Sequence, residues 1–143
     1  MTGIRIDGKI IAQTVKDRVK KAASELKTQG VNPCLATVLI GNNPASATYV
    51  KNKHKACEEV GIITKDHKLD ESVTQQELNR IIDELNADVS VHGILVQLPL
   101  PKHLNEFATT SRISPIKDVD GLTPHNAGLL AMKKAALVAC TPS

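Results

Sequence analysis

Between Gly41 and Lys53 the chain reads Gly-Asn-Asn-Pro-Ala-Ser-Ala-Thr-Tyr-Val-Lys-Asn-Lys, and this stretch holds the only tyrosine. Asn43 suits an N-cap and Pro44 the first helical position, where its missing N–H costs nothing and its φ is already helical. A helix beginning there places Ser46, Tyr49 and Lys53 at i, i+3 and i+7 on one face, with Tyr49 and Lys53 one turn apart and roughly 5–6 Å between their Cβ atoms. The apolar run Leu35 to Ile40 precedes it. A hydroxyl, a phenol and an amine therefore gather near the C-terminal end of a strand, the edge at which open α/β sheets bind ligands. A lysine shielded from water loses part of the stabilisation of its charged form, which makes Lys53 a candidate for acid/base work. The competing reading is a solvated helix flank formed by Lys51, Lys53 and Lys55.

Two further segments could carry chemistry. Val91 to Leu98 reads as a strand ending in Gln97, followed by Pro99-Leu-Pro101. A glutamine at a strand's C-terminal end can donate and accept toward a ligand, beside a wall fixed by the prolines, although a surface glutamine in a proline turn fits equally. His92, at the opposite end, reads as structural. The other segment is Lys117-Asp118-Val-Asp120-Gly121-Leu-Thr123. Its carboxylates lack the longer ligand series and closing glutamate of a calcium loop, so no metal is expected. A fixed carboxylate can instead accept from a ring N–H and an exocyclic amine; the alternative is a solvated loop with an Asx turn at Asp120-Gly121.

The elements that must position these residues follow from periodicity. Asp7 can cap a helix in which Ala12, Val15, Val19, Ala22 and Leu26 recur at helical spacing before Gly30. Leu35 to Ile40 is apolar throughout, as a strand buried on both faces requires. The helix from Asn43 puts Ala47, Val50, His54 and Cys57 on its inner side and ends near Gly61. Ile62 to Leu69 is a second, more polar strand. Thr74-Gln-Gln-Glu77 is a capping box for a helix with Leu78, Ile81, Ile82 and Leu85 on one face. Val91 to Leu98 is the third strand, and short helices follow over Asn105 to Thr110 and Asn126 to Lys133. This order predicts an α/β fold, a short mostly parallel sheet wrapped by helices.

Composition narrows the partners. The chain has 143 residues, enough for one core, and aromatics are only 1%, so that core must be aliphatic. Tyr49 and Phe107 alone offer base stacking, and a net charge of +3 with dispersed lysines is too weak a footprint for nucleic acid, while it suits an anionic small molecule. Cys34, Cys57 and Cys140 are odd in number and far apart, which argues against a disulfide framework or zinc site and for a reduced, cytoplasmic setting. No signal-peptide core and no membrane-length apolar run is present. Tyr49-x-x-x-Lys53 also matches the pair of short-chain dehydrogenases, but that family needs a glycine-rich first turn and a serine well upstream, both missing here.

The three segments stand in one order and register: Gly41 to Cys57, His92-Gly-Ile-Leu-Val-Gln97-Leu-Pro-Leu-Pro101, and Lys117 to Thr123. Together they closely resemble the bifunctional methylenetetrahydrofolate dehydrogenase/methenyltetrahydrofolate cyclohydrolase (FolD) family, and the resemblance runs the length of the chain. It implies that Lys53 activates the water attacking the methenyl carbon and that Gln97 hydrogen-bonds Lys53. Tyr49 would stack on the aminobenzoyl ring, and Asp120 would receive the pterin N3–H and 2-amino group. Ser46 and Asp118 would be supporting contacts, with Leu98, Pro99 and Pro101 as a wall of the folate site. The family also has a Rossmann domain binding NADP or NAD, and no glycine-rich dinucleotide fingerprint occurs in this chain. The expectation is thus a tetrahydrofolate-binding catalytic domain over 1–143, cut before the NAD(P) domain and lacking dehydrogenase activity alone, from a full-length homodimer. The alternative is a non-catalytic binding or assembly module that kept the fold; a Lys53 Schiff-base enzyme ranks third.

Overall fold

The computed structural model describes residues 7–139, so Cys140 and the chain's last residues lie outside it. The elements are α1 (Gly8–Thr28), β1 (Cys34–Ile40), α2 (Pro44–Val60), β2 (Ile63–Leu69), α3 (Gln75–Ala87), β3 (Gly93–Val96), α4 (Glu106–Arg112) and α5 (Pro124–Ala131). The three strands form one parallel sheet in the order β2-β1-β3. Both expected caps are in place: Asp7 accepts from Lys9 N at 2.9 Å and Thr74 accepts from Glu77 N at 3.2 Å.

Side chains alternate across a strand, so central β1 serves two layers. Cys34, Ala36, Val38 and Ile40 join Leu78, Ile81, Ile82 and Leu85 of α3, together with Ile94 and Val96 of β3, in the main core. Leu78 and Ile82 are fully buried, each contributing about 1.5–3 kcal/mol relative to exposure. Thr37 and Leu39 look the other way, toward α2, as does Leu95, which is buried but outside that core.

Three expectations need correction. In α1 only Ala23 is buried; Val15 stays 44% exposed and Leu26 39%, because α1 rests on α2 rather than on the sheet. Ala47 is exposed, and Ser46 and Val50 are the buried positions at this end of α2 instead. The third strand is shorter than Val91 to Leu98, although its hydrogen-bond ladder continues one residue each way, His92 N to Cys34 O and Gln97 N to Val38 O, both at 2.9 Å.

Candidate active site

α2 begins where Asn43 accepts from Ala45 N at 2.9 Å and Ser46 N at 3.2 Å, and stops at Gly61, whose φ of 81° is left-handed. Between those ends the helix straddles the sheet. One flank carries Tyr49, Lys53 and Cys57 at successive turns toward β3, and the other carries Val50 and His54 toward β2. Tyr49 is 64% exposed, an open aromatic face on the rim, and Lys53 is half-buried. Ser46 is buried at the head of the same flank.

The floor beside α2 is β3. Gln97 leaves it with its Nε2 donating to Leu98 O at 2.8 Å. Its Oε1 is buried and has no partner among the described residues. No Gln97–Lys53 hydrogen bond is formed, so the expected pairing is not made, and an acceptor is left waiting for a donor. Leu98 packs partly on the core, and Pro99 is exposed after a cis peptide bond. Pro99, Leu100 and Pro101 face Gly41, Asn42 and Glu71 across a hollow of about 410 Å³. His92 Nδ1 accepts from Cys34 N at 3.3 Å, a structural use at the other end of the strand.

The segment after β3 builds the opposite wall, and its charged residues divide the labour. Lys117 turns away: its Nζ donates to the carbonyls of Leu85 (3.1 Å), Asn86 (2.8 Å) and Asp88 (2.8 Å), closing the C-terminus of α3. Its own carbonyl accepts from Ile94 N at 2.7 Å, so the segment runs beside β3 as a one-bridge extension of the sheet. Asp118 is 1% exposed and spends both oxygens internally, accepting from Leu122 N at 3.2 Å, Thr123 N at 2.8 Å and Asn126 Nδ2 at 2.9 Å. Burial alone raises its carboxyl, but the hydrogen bonds from Asn126, Thr123 and Leu122 together outweigh burial and hold it below the ordinary 3.8. Thr123 also caps α5, accepting from Asn126 N. Asp118 thus closes the turn in which the sequence suggested Asp120-Gly121, and with both oxygens engaged and 1% exposure it is shut away from a ligand.

Asp120 is the carboxylate that remains. It is half-buried; burial raises its carboxyl, the charge of Lys53 opposes this, and the charge of Asp118 adds to it. Asp120 and Lys53 sense each other without closing an ion pair. Val119 lies directly over Gly93, where an added Cβ would meet its Cγ1 at 2.5 Å. Gly93 and Val119 join Cys57 and Ile62 around an apolar hollow of about 270 Å³ below the cleft. Burial raises both the Cys34 and Cys57 thiols.

An amine and an opposed carboxylate therefore sense each other, an orphaned amide oxygen ends β3, and an exposed aromatic ring stands one helical turn from the amine. Such a set can hold a flat ligand by its N–H groups at one end and offer a base at the other. Lys117, Thr123 and Asn126, which hold Asp120 in place, were not foreseen. Thr123-Pro124 nevertheless repeats the Asn43-Pro44 cap signal.

Known proteins resemble this chain in sequence and fold. Residues 6–120 match the family described as tetrahydrofolate dehydrogenase/cyclohydrolase, catalytic domain. The bifunctional protein FolD of Nitrosopumilus maritimus is 80% identical over 143 residues, all of this chain and 50% of that protein. Among solved structures, FolD of Campylobacter jejuni superposes with a TM-score of 0.92 at 47% identity, covering 94% of this chain and 48% of its own. The Trypanosoma brucei enzyme, solved with NADP cofactor and inhibitor, gives 0.89 at 34% identity, covering 96% and 48%. The chain spans about half the length of the curated relatives it matches. On these grounds the three-stranded α/β unit belongs to the tetrahydrofolate dehydrogenase/cyclohydrolase family.

Proposed function

We propose that this chain is the tetrahydrofolate-binding catalytic domain of a bifunctional enzyme. That enzyme oxidises 5,10-methylenetetrahydrofolate to the methenyl form and hydrolyses it to 10-formyltetrahydrofolate. The observations carrying this reading are that half-buried Asp120 senses Lys53 and that the buried Oε1 of Gln97 has no donor among the described residues. Asp120 accepts the pterin N3–H and 2-amino group, and Tyr49 stacks on the aminobenzoyl ring. Ser46, Leu98 and Pro99 shape the cleft. Lys53 takes the proton of the water that attacks the methenyl carbon, and the Oε1 of Gln97, which has no partner among the described residues, accepts from the amine once substrate is bound. Asp118 serves indirectly, by fixing the loop that presents Asp120.

β1 is followed by Gly41-Asn-Asn-Pro rather than a glycine-rich phosphate turn, so the described residues do not fit a dinucleotide. We assign NADP, or NAD, to the half of the relatives that this chain does not span, together with homodimer contacts. No nucleic-acid partner and no membrane attachment is proposed; no described helix is long and apolar enough to cross a membrane. Free Cys34 and Cys57 support a reducing cytoplasmic location.

The test is hydrolysis of methenyltetrahydrofolate by the full polypeptide and its Lys53→Ala variant. A kcat lower by roughly 10²–10⁴-fold, the usual scale of general-base catalysis, is expected. Folate binding with unchanged turnover in the variant would remove Lys53 from the mechanism.

A further inference from the structure

The β2-facing flank of α2 carries a cluster that the folate chemistry does not use. His54 Nε2 lies 2.8 Å from Asp66 Oδ1 and 3.0 Å from Thr37 Oγ1, and the Thr37 hydroxyl donates to the same Asp66 oxygen at 2.8 Å. Thr37 is 1% exposed and central in the sheet, and Asp66 is its register partner on β2. The hydroxyl has one proton and gives it to Asp66, so toward the ring it can only accept. Nε2 must therefore carry hydrogen and donate it to Thr37, with the Asp66 carboxylate 2.8 Å from the same nitrogen. The tautomer is fixed by the sheet.

The placement of this tether gives it consequence. Between Val50 and Val60 no α2 side chain is fully buried, so apolar packing leaves the middle of the helix weakly held. Among the described residues, His54 supplies the only side-chain hydrogen bond and the only ion-pair contact from α2 to a strand. Its neighbour in sequence is Lys53, about 100° away around the helix and facing the cleft. Side-chain tips sit about 5–6 Å from a helix axis, so a rotation of only ~15° would carry the amine roughly 1.5 Å. Displacements of about 1 Å can cost roughly 10²-fold in rate.

We propose that His54, with Thr37 and Asp66, is a positioning residue for Lys53: the cluster sets the rotation of α2 about its axis. The inference rests on the catalytic role given to Lys53 above. The groove at this flank, about 360 Å³, is also bordered by Lys51 of α2 and by His67 and Lys68 of β2. These groups surround the cluster, but none joins its hydrogen bonds.

The experiment reads Lys53 without substrate. The full polypeptide, as wild type, His54→Leu and His54→Gln, is acylated briefly with acetic anhydride, and labelling of Lys53 relative to exposed Lys55 is measured by peptide mass spectrometry. His54→Leu should change the ratio at least ~3-fold. His54→Gln, whose amide N–H can take the place of Nε2–H, should return it to within about 1.5-fold of wild type. In parallel, His54→Leu should lower kcat for methenyltetrahydrofolate hydrolysis at least ~10-fold with KM within about 3-fold, and glutamine should rescue it. Thr37→Val, nearly isosteric, serves the same comparison if the leucine variant does not fold. An unchanged labelling ratio in a folded variant, or equal impairment of leucine and glutamine variants, overturns the proposal. If wild type hydrolyses nothing, the enzymatic reading fails while the labelling ratio still decides this one.

Discussion

Replacing Asp118 and Asp120 by asparagine, one at a time, makes the same chemical change two residues apart and should move stability in opposite directions. At 118 the new side chain keeps one oxygen, which can still serve Thr123 N and Asn126 Nδ2, but its NH₂ then faces the Leu122 N–H. One backbone donor is orphaned, at about 1–3 kcal/mol, and two bonds lose their charge assistance, at roughly 1 kcal/mol each, giving about 3–5 kcal/mol in all. Against a typical total of about 5–15 kcal/mol the variant folds, but measurably less well. The pH dependence follows from the depressed carboxyl of Asp118. Its contribution is fully present above the unfolded value of 3.8 and is lost as pH falls from there through the lower folded value, so the gap to the asparagine variant holds from pH 7 to about 5, narrows below about 4 and closes only once pH lies below the folded value. Asp120 has the opposite sign. Its carboxyl is raised, chiefly by burial, so the wild type is favoured only below 3.8 and loses stability as pH rises through the folded value. Asp120→Asn should therefore be more stable than wild type at pH 7 and equal to it in acid, while losing folate affinity. Urea unfolding followed by circular dichroism, taken stepwise from pH 7 down to about pH 2, reads all of this. Shifts of the same sign for the two variants, or an Asp118→Asn deficit unchanged in acid, would refute the reasoning.

Two glycines give sharper steric tests. Gly121 has a φ of 66°, and a Cβ there would stand 2.6 Å from Leu137 O and 2.8 Å from Ala139 N. Gly121→Ala should cost about 1–2 kcal/mol for the left-handed backbone alone and lift the segment around Leu137, lowering the melting temperature by roughly 5 °C and speeding proteolysis there; an unchanged melt would contradict the close approach. Gly93→Ala should push Val119 and with it Asp120, raising the KM for the folate about 10-fold. Adding Val119→Ala should bring KM back to within ~3-fold, and a double variant no better than the single one would dissociate Gly93 from the placement of Asp120.

Local signals carried the fold. Asn43-Pro44, Thr74 with Glu77, and the apolar spacing of Leu78, Ile81, Ile82 and Leu85 act within a few residues, and the structure follows them. Ala47 and the stripe of α1 misled because periodicity says which residues share a face, not what that face meets. In the site, Tyr49, Lys53 and Asp120 were legible as chemistry. The use of Lys117 was not, because the carbonyls it closes lie 29 to 32 residues earlier. Asp118 was read as a ligand contact for a related reason: a carboxylate's partners come from the turn that it closes, and only geometry shows both oxygens spent. Thr37, His54 and Asp66 obey no period at all, since a strand, a helix and a neighbouring strand each supply one.

The two-sided character of β1 also bears on how this chain can change over generations. Along Cys34–Ile40 every second residue belongs to the aliphatic core and the others lie under α2, so no position is left over to absorb an error in count. Deleting one residue inside the strand would bring the Thr37 hydroxyl into the aliphatic layer and turn its apolar neighbours toward His54. Core and helix tether would fail together. The loops between elements can lengthen or shorten at modest cost, whereas this seven-residue segment accepts replacement of its side chains but not a change in their number.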